Sequence, residues 1–146
     1  DIHNAASQNF PHVSKMVKRG YNVVGVDRAF AALIRDLETR GLLKQTMVVF
    51  LTEFGRTPKI NANGGRDHWG ACGSIFFAGA GIESGQVVGR SDKQAGYPTT
   101  RPYGPADIAA TIYRTLGIDI DARIRDRENR PVSVLEHGSP IEAVLA

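Results

Sequence analysis

Five side chains with chemical capacity, Glu53, Arg56, Arg66, Asp67 and His68, fall in one stretch, "TEFGRTPKINANGGRDHWG", residues 52–70. Carboxylate oxygens and imidazole nitrogens are the ligands that zinc, manganese and similar divalent cations take. Guanidinium forks match the paired oxygens of phosphate and sulfate. A second acid and imidazole, Asp1 and His3, stand at the start of the chain. On an extended segment, positions i and i+2 share a face, so these two can grip one ion together. Plainer roles stay open at this point. Asp67 and His68 also suit a surface pair or turn, and Arg56 and Arg66 also suit partners of Glu53 and Asp67 that hold the loop. An arginine that orients a metal-bound carboxylate serves both ends.

Other candidates carry less. Cys72 is the only cysteine, so no internal disulfide forms. With nearby His68 it has the residue types of a nucleophile and base. In "ACGSIFFAG", a small buried hydrophobe is the expected role instead. His12 and His137 stand alone and read as surface or capping residues. "GAGIESG" approaches a dinucleotide-binding fingerprint, but Ser84 occupies the place of the third glycine and no helical pattern follows. A loop is expected there.

The charged stretch needs elements to position it. "TMVVFL" is continuously apolar and β-branched, which predicts a strand covered on both faces, as in a parallel sheet. "SIFFAG" reads as a second buried strand. In open α/β sheets, ligands bind beyond the carboxyl ends of strands, and Glu53 lies just past such an end. The glycines of "NANGG" let the backbone turn sharply and bring Asp67 and His68 back to the same rim. Val26 to Leu42 reads as a helix: Phe30, Leu33, Ile34 and Leu37 recur at helical spacing, with Arg35, Asp36 and Glu38 opposite. Gly41 supplies its stop. "YGPADIAATIYRTLGI" reads as a second helix, with Pro105 at its first position, Asp107 in the positive first turn and Gly117 after its end. Its apolar stripe is Ile108, Ile112 and Leu116. "RPVSVLEHGSPIEAVLA" reads as a short strand and a final turn or helix. Helix, strand, loop, strand, helix is an α/β order, with no repeat, low-complexity tract or domain boundary.

The chain has 146 residues, which suits one domain with a sizeable core. No apolar run approaches a membrane span. The net charge is +3, with acids and bases mixed as in "DIDARIRDRENR" and no aromatic interleaving. That pattern describes a solvated surface and argues against nucleic acid as a partner. The chain opens on "DIHN" rather than Met, which fits either a processed product or a piece of a longer protein.

"TMVVFLTEFGRTP", "GRDHWG" and "GPADIAATIYRTLGID", in that order, resemble the domain-of-unknown-function 1501 family, which is sulfatase-like and belongs to the alkaline phosphatase superfamily. "DIHN" is similar to the family's "WDTH" segment, and "ENRPVSVLEHGSPI" to its closing segment. The resemblance covers essentially the whole chain. It implies an α/β fold, part of an alkaline-phosphatase-like three-layer sandwich with a mostly parallel sheet. Residues 1–146 would then be the C-terminal portion of one such domain, with the nucleophile-bearing part upstream. It also implies a divalent metal ion as cofactor: zinc, manganese, magnesium or calcium. Carried over by position, Asp1, His3, Glu53 and His68 are the metal ligands; by their own chemistry, Arg56, Arg66 and Asp67 are the candidates to bind the anion or support the ligands. This chain departs from the superfamily pattern in two places. Glu53-Phe54 stands where Asp-His is common, which replaces an imidazole by a phenyl ring that cannot ligate. Asp1 and His3 are also closer together than the superfamily's first Asp and His.

The resemblance implies a metal-dependent hydrolase domain acting on sulfate or phosphate esters, incomplete in this chain. The alternative is a non-catalytic module on the same fold that binds an anion or polysaccharide. Expected partners are an anionic ester or a sulfated polysaccharide, with neither nucleic acid nor a membrane span. Strands built for burial but left uncovered invite self-association.

Overall fold

Phe30, Phe50 and Phe76 come together as one aromatic cluster, and the first helix and first sheet are organised around it. Phe30 meets Phe76 edge-on at 4.5 Å and Phe50 at 6.2 Å, while Phe50 and Phe76 stack at 5.2 Å. The computed structural model describes residues 22–62 and 64–146. The candidates Asp1, His3 and His12 lie outside the described residues.

Helix α1 spans Asn22–Thr39, so it ends before Leu42. Val26, Phe30, Ile34 and Leu37 form its half-buried stripe, while Leu33 is 46% exposed and lies beside it. Gly41 takes φ of +70°, and its N–H donates to the Glu38 carbonyl at 2.9 Å, closing the helix end.

Strand β1 is Met47–Phe50. After an excursion holding β2 (Gly55–Arg56) and β3 (His68–Trp69), the chain returns as β4 (Phe76–Gly79). The two expected apolar strands pair with each other, but antiparallel, from Met47 opposite Gly79 to Phe50 opposite Phe76. The parallel arrangement suggested by their apolar runs is not seen among the described residues. A parallel pair needs a crossover to the opposite end of the sheet. Here the connection is a loop with its own small antiparallel pair, and it hands the chain back at the end where it left. A continuous apolar run signals burial but not strand direction. Among the described residues, every strand pair is antiparallel and the architecture is mixed α/β.

Helix α2 is Pro105–Thr115, and Gly117 follows with φ of +72°. Its buried face centres on Ala110 and Thr111, with Ile108 and Ile112 half-buried on either side. Leu116, expected in the inward stripe, is 65% exposed because the helix has ended there. The segment "DIDARIRDRENR" forms part of a hairpin, β5 (Arg123–Arg125) against β6 (Pro131–Ser133). A 3-10 turn at Glu142–Val144 closes the chain.

The tail is clasped by α2. Thr111 Oγ1 donates to the Asp107 carbonyl at 2.7 Å and accepts the Ile141 N–H at 2.9 Å. Asp107 Oδ2 accepts the Gly104 N–H and Oδ1 the Ser139 N–H, both at 2.9 Å. Beyond it, the Glu83 N–H donates to the Val144 carbonyl and the Ala146 N–H to the Gly81 carbonyl, at 3.0 and 3.1 Å. The backbone donation from Gly104 is the largest influence holding the Asp107 carboxyl below its usual range. The Ser139 N–H follows, with smaller help from Arg101 and His137.

Candidate functional site: the loop from Glu53 to Trp69

Glu53 is exposed just beyond β1. The next residue, Phe54, stacks on the His68 imidazole with centroids 3.8 Å apart and planes 22° apart. Arg56 lies opposite His68 in the β2–β3 register, and its guanidinium carbon sits 5.4 Å from the Phe54 centroid, within cation–π range. The phenyl ring thus contacts both the candidate ligand and one candidate anion-binding arginine. Stacking engages the face of the imidazole, whereas a ligating nitrogen lone pair lies in the ring plane.

The loop is tied by its own hydrogen bonds. The Thr57 N–H donates to the Asp67 carbonyl and the Asp67 N–H to Thr57 Oγ1, both at 3.0 Å. Asn61 holds the tip: its Oδ1 accepts the Gly65 N–H at 3.0 Å and its Nδ2 donates to Asp67 Oδ1 at 2.8 Å. Arg66 Nη1 donates to the Thr57 and Pro58 carbonyls at 2.7 and 2.6 Å. Arg56 Nη1 donates to the Arg66 carbonyl at 3.3 Å. Both arginines therefore hold the loop, but through backbone carbonyls. The ion pairs among the described residues are Arg40 with Asp36 and Arg130 with Asp126 and Glu128. The expected pairing of Arg56 and Arg66 with Glu53 and Asp67 is not among them, and the Asp67 carboxylate is held by Asn61 instead.

Gly55 is required by close approach: a Cβ there would land on the carbonyl oxygen of Cys72. Half-buried Cys72 follows β3, and its backbone packs on β2. A second loop buttresses the first. Asp92 Oδ1 accepts the N–H groups of Gln94 and Gly96, and Oδ2 that of Tyr97, at 2.7–3.1 Å. The Trp69 indole N–H donates to the Gly96 carbonyl at 2.6 Å, and Tyr97 meets Trp69 edge-to-face at 5.4 Å.

The structure thus brings Arg56, Arg66, Asp67 and His68 into one loop, with Glu53 at its entry. Among the described residues, no three His, Cys, Asp or Glu side chains gather as a group able to hold a metal ion. The other two expected ligands, Asp1 and His3, lie outside them. Trp69, Asp92, Gly96 and Tyr97 escaped the sequence reading. The available signal was "SDKQAGYP", an aspartate four residues before a glycine, the spacing of a side-chain-capped turn.

The molecule is a mixed α/β protein with an arginine- and histidine-bearing loop after its first strand. It belongs to the family described as protein of unknown function (DUF1501), whose model matches residues 2–145. No curated protein and no solved structure matches the chain.

Proposed function

We propose that the loop from Glu53 to Trp69 is the anion- and metal-binding rim of a sulfatase-like hydrolase domain acting on sulfate or phosphate esters. The observation that carries this reading is the state of Arg66. Its Nη1 is fixed on two carbonyls, while Nε and Nη2 make no hydrogen bond among the described residues. A pinned guanidinium with one edge open is pre-organised for two oxygens of a tetrahedral anion. Glu53 and His68 offer the carboxylate and imidazole that a divalent ion takes, and Asp1 and His3 would complete the four donors of a zinc-like site. A bound ion would polarise the ester oxygen and lower the pKa of the attacking group. Arg66 would orient the ester, and Phe54 would fix the plane of His68.

In this reading the chain is part of a larger alkaline-phosphatase-like sandwich with a mostly parallel sheet. The nucleophile and a further acid come from outside this chain. Phe54, against His68 where an imidazole is common in the superfamily, favours a second reading: an anion- or polysaccharide-binding module without turnover.

Calorimetry with inorganic sulfate and phosphate tests the anion rim. Arg66→Lys keeps the charge but loses the fork, and affinity should fall about tenfold while the fold survives. Unchanged affinity would return Arg66 to a purely structural role.

A further inference from the structure

Resting on the anion-binding reading of Arg66, we propose that the ligand of this rim is a sugar carrying the sulfate or phosphate ester, seated with its ring on Tyr97. Tyr97 is 56% exposed, although its ring is held against Trp69. Its backbone is locked as well, because the Asp92 carboxylate accepts the N–H groups of Gly96 and Tyr97. The indole N–H of Trp69 is committed to the Gly96 carbonyl, so Trp69 braces the platform. An exposed aromatic fixed this firmly is ordered before any ligand arrives, which lowers the ordering cost of binding.

Pro58 links this platform to the open fork. Its carbonyl holds Arg66 Nη1. On its other side, a Cβ at Gly96 would come within 3.2 Å of the Pro58 ring, so Gly96 lies directly against it. Pro58 thus touches both loops, its carbonyl on Arg66 and its ring against Gly96, the residue before Tyr97, and an ester on the fork with its own sugar ring on Tyr97 would span it.

The platform is one-sided. Tyr97 has an aromatic partner in Trp69, but among the described residues no ring pairs with Tyr97 from the solvent side. A ligand lying there keeps its far face in water. A pyranose suits this, because its C–H face rests on the electron-rich ring while its hydroxyls stay hydrated. A nucleobase would leave an apolar face exposed. Lys59, Lys93 and Gln94 are exposed in the same two loops and supply donors for hydroxyls.

Calorimetry on the full chain compares inorganic sulfate, N-acetylglucosamine 6-sulfate, N-acetylglucosamine 6-phosphate and adenosine 5′-monophosphate. Trp69 is the only tryptophan, so its emission reports whether a ligand sits at the platform. One sugar ester should bind about tenfold more tightly than inorganic sulfate and shift Trp69 emission. The better of the two esters identifies the anion. Tyr97→Ala should collapse that preference and Tyr97→Phe should keep it, with circular dichroism confirming that both fold. No preference for a sugar ester, a preference that survives Tyr97→Ala, or tighter binding of the nucleotide overturns the sugar assignment. If sulfate binding is seen and is lost in Arg66→Lys, the rim itself stands in each of those cases. Absence of any anion binding overturns both.

Discussion

Asp107 joins three segments with one carboxylate: the start of α2, the residue before it and the tail at Ser139. Because the fold holds its pKa low, its contribution is fully present above the unfolded value of about 3.9 and is lost as pH falls through the folded value. Asp107→Asn should cost about 1 kcal/mol at neutral pH, a modest figure because the group is half-exposed. In urea titrations the gap from wild type should shrink as the pH falls below about 4. A gap independent of pH would show that the charge contributes nothing. His68 carries the residue-scale prediction for metal. On the proposed reading, His68→Ala should lower bound zinc or manganese as measured by elemental analysis, because an imidazole donor is removed. Equal metal content in mutant and parent would remove His68 from the ligand set.

At the scale of elements, the β2–β3 pair depends on one missing side chain. Gly55→Ala would drive a methyl group into the Cys72 carbonyl, and backbone on both sides leaves little room to yield. The variant should lose about 2 kcal/mol and weaken sulfate affinity, since β2 and β3 carry Arg56 and His68. Wild-type stability in a denaturant melt would mean the strands can part without cost. The elements themselves were largely legible in the sequence. Apolar spacing marked α1 and α2, Pro105, Gly41 and Gly117 marked ends, and the runs "MVVFL" and "SIFFAG" marked β1 and β4. Strand direction was not legible, because the path of the loop after β1 sets it. The clustering of Arg56, Arg66, Asp67 and His68 followed from their nearness in sequence, but the carbonyls and amides that bind them did not. Tyr97 and Asp92 were hidden for a related reason. They join the site through Gly96 and Pro58, a contact between distant loops that no local pattern announces.

For the molecule as a whole, little of the described chain is deeply buried: Gly96, Ala110, Thr111 and Ile141. Large apolar residues remain exposed, among them Leu51 at 50%, Ile60 at 56% and Val87 at 92%. Among the described residues, β1 and β4 pair only with each other, and a two-stranded ribbon is marginal by itself. Isolated chain should therefore self-associate in size-exclusion chromatography and, with zinc, manganese, magnesium or calcium added, should not turn over aryl sulfates or aryl phosphates. Metal-dependent turnover from a clean monomer, abolished by His68→Ala, would show a complete enzyme instead. Among the described residues, no helix is long and apolar enough to cross a membrane. The tail clasp has a mechanical consequence. A pull on Ala146 loads the Ala146–Gly81 bond first, then Val144–Glu83, then the buried Ile141–Thr111 bond and last Ser139–Asp107. Bonds loaded in series break one by one, so this segment peels at low force and leaves α2 standing, a local opening rather than a global one.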